Sequence, residues 1–327
     1  MTVPTQRCTI CRSLLDEEDL FCSNCGTESP LCMPANSTAN EQQASVMSFR
    51  CESCGASMSY DASAQTLRCP FCGSQQLASQ KDARTLKPNA VVPFQIDRQQ
   101  ADAALRKFLA TGFFRPGDAV QNSILRDVTQ VYVPFWIFEA TTSTYWTGDT
   151  SQTPAGARGN WFPRSGSHQG SYRDLLVVAS SIITPSEAER IGPFDLKASV
   201  APTKVDLLNV IVEEFRVPRK YARPLATSQI EEFEAEACQQ YLSGQVRNVR
   251  VNVQISEMRS EPVLLPLWIM VYRYQDQPYR VLVNGQNAKV FGNAPFSYKK
   301  LGVVLLILFA FVAFFIVMII LAQMLNK

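Results

Sequence analysis

Eight of the ten cysteines form four C-x-x-C pairs within the first 72 residues, and this pattern constrains the N-terminal part of the chain more tightly than any hydrophobic period does. Cys8-x-x-Cys11 is followed after ten residues by Cys22-x-x-Cys25, and Cys51-x-x-Cys54 after fourteen residues by Cys69-x-x-Cys72. A zinc ion takes four tetrahedral thiolates at about 2.3 Å. One C-x-x-C turn aims two sulfurs at an ion, and a second turn across a short hairpin completes the set. Gly26, Gly55 and Gly73 follow the second cysteine of their pairs, where a knuckle turns tightly and often needs positive φ. The spacing predicts two structural zinc ribbons, residues 1–31 and 49–76. One is held by Cys8, Cys11, Cys22 and Cys25, the other by Cys51, Cys54, Cys69 and Cys72. Segments of about 25–30 residues bury too little apolar surface to fold alone, so each ion substitutes for a core.

Other uses of the thiols fit less well. Disulfides need an oxidising compartment, which the topology argued below denies. A redox C-x-x-C sits at a helix start in a βαβ unit, and no such pattern surrounds these pairs. An iron–sulfur cluster also takes four cysteines, but the paired-knuckle spacing favours zinc. A cross-braced RING would interleave the sets and usually brings histidine, while the chain has only His168. Four thiolates close the shell and leave no open position for catalysis. Charge speaks against nucleic acid. Residues 1–31 carry a net −3, residues 49–76 are balanced, and each tetrathiolate zinc adds a formal −2. Phosphate binding rests on Lys and Arg. Phe21, Phe49, Tyr60 and Phe71 offer a protein-binding face, or else pad the small cores. Cys32 and Cys238 read as ordinary residues. No GxxxxGK[ST] segment exists, so a P-loop nucleotidase or helicase is unsupported.

The second constraint is Leu301–Ala322, 22 residues without a charged side chain. As a helix it spans about 33 Å, against a hydrocarbon core of about 30 Å. A transmembrane helix over 299–323 is expected, in contact with the lipid bilayer through 301–322. Tyr298, Lys299 and Lys300 mark its cytosolic interface by the positive-inside tendency. The N-terminus lacks the apolar stretch of a signal peptide. These features predict a single-pass protein of the inner or plasma membrane with its N-terminal body in the cytoplasm.

Between ribbons and tail, 32–48 and 77–88 read as linkers, and 89–296 as an α+β domain with 21 Lys and Arg against 20 Asp and Glu. Asp97 with Gln100 caps a helix whose face is Ala101, Ala104, Leu105, Phe108 and Leu109, ended by Gly112. An extended apolar stretch, VYVPFWIFEATTSTYW, follows. The order then recurs. Ser228 with Glu231 forms a capping box, and Ile230, Phe233, Ala237 and Tyr241 make the helical face, with Gly244 as the stop. Val249, Val251, Val253 and Ile255 alternate with polar residues as a half-buried strand. Val133-Pro-Phe-Trp136-Ile137 aligns with Leu265-Pro-Leu-Trp268-Ile269. A duplicated unit is expected, with halves 89–146 and 171–296 and a Gly/Ser/Pro-rich loop 147–170 between them. The prolines suit strand starts or edges. Further strands are expected at Asp174–Ile183, Val205–Val217 and Tyr279–Phe291, the last a hairpin at Asn284-Gly285.

Catalytic signals are sparse. His168 with Ser165, Ser167 or Ser171 and Asp174 could be drawn as a triad, but adjacent residues rarely reach that geometry and no G-x-S-x-G elbow exists. A hydrogen-bonding loop histidine is the simpler reading. Arg216, Arg219, Lys220 and Arg223 could meet anionic lipid. The nearby Glu231, Glu232, Glu234 and Glu236 favour a self-neutralising solvated surface instead.

In chain order, the two ribbons, YVPFWIFEA, WFPRSGSH leading into DLLVVAS, LPLWIMVYRY, VNGQNAKVFG and the apolar C-terminal segment resemble the bacterial TFIIB-type zinc-ribbon membrane proteins. That family is often labelled primosomal protein N′ (replication factor Y)-like, a helicase label that the missing P-loop contradicts here. The resemblance covers nearly the whole chain. It implies a membrane anchor that, in some members, works beside SPFH-domain partners and recruits phage shock protein A under envelope stress. The family pattern has Thr-Gly after Asn-Gly-Gln, whereas this chain has Asn287-Ala288. The functional expectation is a non-enzymatic zinc-ribbon adaptor that brings a cytosolic protein to the membrane, with two structural zinc ions and no nucleic acid. A membrane-tethered nucleic-acid binder is the alternative, and a hydrolase using His168 a third.

Overall fold

The computed structural model describes residues 6–8, 10, 12, 14–15, 46–61, 68–80, 86–152, 154–156, 158–207, 209–275 and 277–325. Strands β1 (Gln6–Arg7) and β2 (Leu14–Leu15) form a small antiparallel ladder. Then come β3 (Val46–Cys51), β4 (Ser57–Asp61), β5 (Leu77–Gln80), β6 (Ala90–Val91), α1 (Arg98–Ala110), α2 (Ala119–Asn122), β7 (Ile124–Thr150) and β8 (Phe162–Val178). After these follow α3 (Pro185–Ile191), β9 (Ile211–Glu213), α4 (Arg219–Gln239), β10 (Val246–Tyr274), β11 (Gln277–Asn284), β12 (Val290–Gly292) and α5 (Tyr298–Leu325). Strands β3 to β12 form one mixed sheet, ordered β12-β11-β10-β7-β9-β4-β3-β5, with β6 beside β10 and β8 beside β7. The fold is α+β, as the sequence predicts.

Its spine is the antiparallel pair β7–β10, 27 and 29 residues long. The run Pro262–Met270 is buried at every position, because both faces of the sheet are covered there. That is why it reads as a continuous apolar run rather than an alternation. Val133 pairs with Leu265, Pro134 with Leu264, and Tyr132 with Pro266. The prolines therefore lie mid-strand, not at strand starts or edges. Each marks the point where its strand changes outer neighbour. On β7 the partner passes from β9, at Val131 and Tyr132, to β8, from Phe135 onward. On β10 it passes from β6, at Val263 and Leu264, to β11, from Leu267 onward. A residue without an N–H is tolerated at such a changeover.

The same contacts occur at matching positions on both sides of the Val133–Leu265 pair. Trp136 Nε1 donates to Val217 O at 2.8 Å, and Trp268 Nε1 donates to Ile96 O at 3.3 Å. Each accepting carbonyl lies two residues before a helix, α4 and α1 respectively. Phe215 packs on Trp136 and Phe94 on Trp268, both with ring centroids 5.6 Å apart.

Several local expectations change. The capping box of Asp97 and Gln100 forms, and Ala101, Leu105 and Leu109 are buried. Helix α4, however, starts at Arg219, so Ser228 is mid-helix rather than a cap. Its buried stripe is Ala222, Ala226, Ile230, Glu234 and Cys238, while Phe233 and Tyr241 are exposed. Pro218 stands directly before the first helical residue, and the bond from Trp136 holds the Val217 carbonyl beside it. The segment 147–170 is mostly strand: β7 runs to Thr150 and β8 starts at Phe162. Its small residues serve packing: a Cβ on Gly166 would sit 2.6 Å from the Trp146 ring, and one on Gly170 2.5 Å from Thr142 Oγ1. Among the described residues of 205–217 only Ile211–Glu213 is strand, and the Asp174–Ile183 strand stops at Val178. The β11–β12 hairpin forms, with Gln286 N donating to Asn284 Oδ1 at 2.8 Å. Ala288 holds φ +58, so the tight turn is kept with alanine in the left-handed region.

The second cysteine segment is built into this sheet. Part of the expected linker, Leu77–Gln80, is β5 and pairs with β3. Strand β4 pairs with β9 through Met58–Glu213 and Ser59–Val212. Phe49, Cys51, Met58, Cys69 and Phe71 share one core with Val131, Phe135 and Leu265.

Candidate metal centre

Two near-identical turns present the second set of cysteines. In the first, Gly55 N donates to Cys51 O at 2.8 Å and Cys51 N to Ala56 O at 2.7 Å. In the second, Gly73 N donates to Cys69 O and Cys69 N to Ser74 O, both at 2.8 Å. Gly55 and Gly73 take φ of +78° and +74°, which the knuckle requires of them. The four Sγ atoms of Cys51, Cys54, Cys69 and Cys72 lie within 4.8 Å of one another. Cys51 and Cys72 sulfurs are 3.6 Å apart, and those of Cys54 and Cys69 3.5 Å. A tetrahedral ion with sulfur at about 2.3 Å separates its ligands by about 3.8 Å, so the set fits one metal ion. Cys51 and Cys69 are buried, and Cys54 and Cys72 exposed.

The thiols differ in how readily they ionise. Burial pushes the Cys54 thiol up to about 11, and burial raises Cys69 as well. Burial opposes ionisation of Cys51 too, yet the amides of Cys54 and Ser53 aimed at its sulfur win and bring it to about 7. A divalent ion among the sulfurs reverses the cost of gathering thiolates.

Of the first set, Cys8 is described. It is buried after β1, and Arg12 N donates to Cys8 O at 3.0 Å with Arg12 at φ +59, which begins a turn of the same kind. Cys11, Cys22, Cys25 and Cys32 lie outside the described residues, as do Phe21 and the side chain of Tyr60. Phe49 and Phe71 are buried and pad the core, so neither offers a docking face.

His168 meets none of the partners of the drawn triad. It lies on β8, where alternate residues face opposite sides, so Ser165, Ser167 and Ser171 point away from it. Its Nδ1 is 2.9 Å from Tyr241 Oη, and its Nε2 is 3.9 Å from Glu234 Oε2. Glu234 is fully buried under α4 and accepts from Thr142 Oγ1 and from Tyr172 Oη, the latter at 2.8 Å. Burial, then the Glu234 carboxylate, raises the Tyr172 phenol. Sequence reading missed this cluster because it placed Glu234 in a solvated acidic run. The signal was there: Ala222, Ala226, Ile230, Glu234 and Cys238 recur every four residues.

A second buried carboxylate sits where the cysteine segment joins the body. Glu213 accepts from Ser180 Oγ at 2.8 Å and Ser181 N at 2.9 Å, and burial pushes it up to about 7. Beside it, Glu214 accepts from Ser48 Oγ at 2.7 Å and lies 3.3 Å from the Arg216 guanidinium.

At the other end, Tyr298–Ile316 of α5 is long and apolar enough to cross a membrane, and none of its hydropathic window is buried among the described residues. Its start is tied to the body. Ser297 N donates to Phe114 O at 2.7 Å, and Lys300 Nζ to Arg115 O at 2.8 Å.

Fold and site together define a mixed α+β chain with a four-cysteine cluster able to hold one metal ion and an uncovered apolar helix. Among curated proteins it is similar to YdjG of Bacillus subtilis, 25% identical over 313 residues, covering 78% of this chain and 92% of that one. No family model matches the chain, and no solved structure does.

Proposed function

We propose that the protein is a non-enzymatic adaptor. Helix α5 anchors it in the cell membrane with the body in the cytoplasm, two structural zinc ions order its N-terminal segments, and a cytosolic protein is its cargo. The observation that carries this reading is the continuity of the sheet. The cysteine cluster sits on strands paired into the body through β4 and β9, and the body holds the start of α5 by the Phe114 and Arg115 carbonyls. A partner gripped at the cysteine end is thereby held at a fixed place relative to the helix. The matching tryptophan contacts of the two halves support a duplicated α+β unit as the spacer.

By the family resemblance, the partner is an SPFH-domain protein together with phage shock protein A. The acidic balance of the cysteine segments argues against nucleic acid. The test is co-purification of the full chain from membranes, with partners read by mass spectrometry, against Cys51→Ser and a deletion of 301–327. The reading expects the deletion to keep the partner in the soluble fraction and Cys51→Ser to lose it. Unchanged recruitment by both variants overturns it. Salt-sensitive DNA binding by the full chain would transfer the reading to nucleic acid.

A further inference from the structure

We propose that the segment 111–118 is a second membrane contact, an aromatic rim that lies in the headgroup layer beside α5 and fixes the tilt of the body on the bilayer. The proposal rests on α5 being a membrane helix. Four rings run together at this end of the molecule. Phe113 and Phe114 have centroids 5.1 Å apart, Phe114 stacks on Phe296 at 5.4 Å, and Phe296 meets Tyr298 edge-on at 5.4 Å. They are open to solvent: Tyr298 is 78% exposed, Phe113 69%, Phe296 46% and Phe114 37%. Apolar rings grouped on a surface mark a contact that the isolated chain leaves unmade.

What covers them follows from where they are attached. Tyr298 is the first residue of α5, and the uncharged span begins three residues later, about 4.5 Å along the axis. Phe296 precedes the helix, and Phe114 is bound to it through Ser297. If α5 crosses a bilayer, these rings fall at the level of the headgroups, where aromatic side chains concentrate. The surrounding charge agrees. Lys299 and Lys107 are exposed, and Lys300 is held against Arg115 O. Arg115 is engaged by α1, its guanidinium 3.8 Å from the centre of the Phe108 ring. The one acid within 111–118, Asp118, is occupied by Tyr274 Oη at 2.9 Å and Asn122 Nδ2 at 2.8 Å. Apolar rings framed by lysines match an anionic lipid surface.

The test uses the full chain in vesicles of mixed zwitterionic and anionic lipid, with two single variants, Phe113→Trp and Phe311→Trp. Both positions are exposed, so neither substitution disturbs the core. The lipids are brominated either near the top of the acyl chain or near its end. The expected result is that the emission added at 113 is blue-shifted and lost mainly with the shallow bromine, while that added at 311 is lost mainly with the deep one. If the 311 emission is quenched by lipid but the 113 emission is quenched only by aqueous iodide, the rim is not at the membrane and the anchor reading survives. If the 113 emission is shielded from iodide and untouched by bromine, a protein covers the rim and the lipid assignment falls. Quenching by lipid at neither position overturns both readings.

Discussion

Ala288 keeps a turn that glycine would make more cheaply. An L-residue at φ +58 carries a cost on the order of 1 kcal/mol that glycine avoids. Ala288→Gly should therefore stabilise the protein by about 1 kcal/mol in denaturant unfolding, and a loss of stability would mean that the methyl group packs usefully. Glu213 gives a prediction in pH. Its folded value, about 7, lies above the unfolded carboxylate value near 4.5. Between those limits the native state holds a proton that the unfolded chain has released, so stability falls as pH rises through the window. Glu213→Gln removes that slope. Its stability relative to the parent should improve from about pH 4.5 to about pH 7.5, by at most roughly 3 kcal/mol. The comparison cancels acid loss of metal, which the two proteins share. A pH-independent difference would refute the assignment.

Elements show which signals are local. The box of Asp97 and Gln100 was legible because both partners are within one turn. So were the two pairs Cys51/Cys54 and Cys69/Cys72, whose sulfurs are aimed together by their own turns. The start of α4 was missed: Ser228 and Glu231 have the spacing of a capping box, yet the helix begins at Arg219, directly after Pro218, where Trp136, 81 residues away, bonds to the Val217 carbonyl. With the helix rotated in the reading, Glu234 was assigned to solvent, and its meeting with His168 and Tyr172 was lost with it. Gly166 and Gly170 looked like loop residues because nothing in the sequence announces the Trp146 ring or the Glu234 carboxylate that lie over them. The merging of β3–β5 with the sheet has an energetic consequence. Cys69→Ser should lower the unfolding temperature of the whole body, because Cys69 and Phe71 share a core with Phe135 and Leu265. Calorimetry should show one shifted transition. An unshifted main transition with a separate early one would mean that the cysteine segment folds by itself.

At the scale of the molecule, anchor and body should separate. Deleting 301–327 leaves Lys300 and its bond to Arg115 O in place. The remaining chain should be soluble, monodisperse in size-exclusion chromatography and unchanged in circular dichroism apart from the lost helix. Aggregation on deletion would show that α5 also completes the core. Sheet closure also sets a timetable during synthesis. Strand β4 pairs with β9, whose residues follow it by roughly 150 positions. At about 5–20 residues per second, the ribosome delivers β9 roughly ten to thirty seconds after β4. Through that interval the cysteine turns have no outer neighbour on their β4 side, and what joins them is the local pairing of β3 with β4 and β5. Every described strand of the sheet precedes α5 in the chain, so no strand pairing waits for a residue made after the apolar helix.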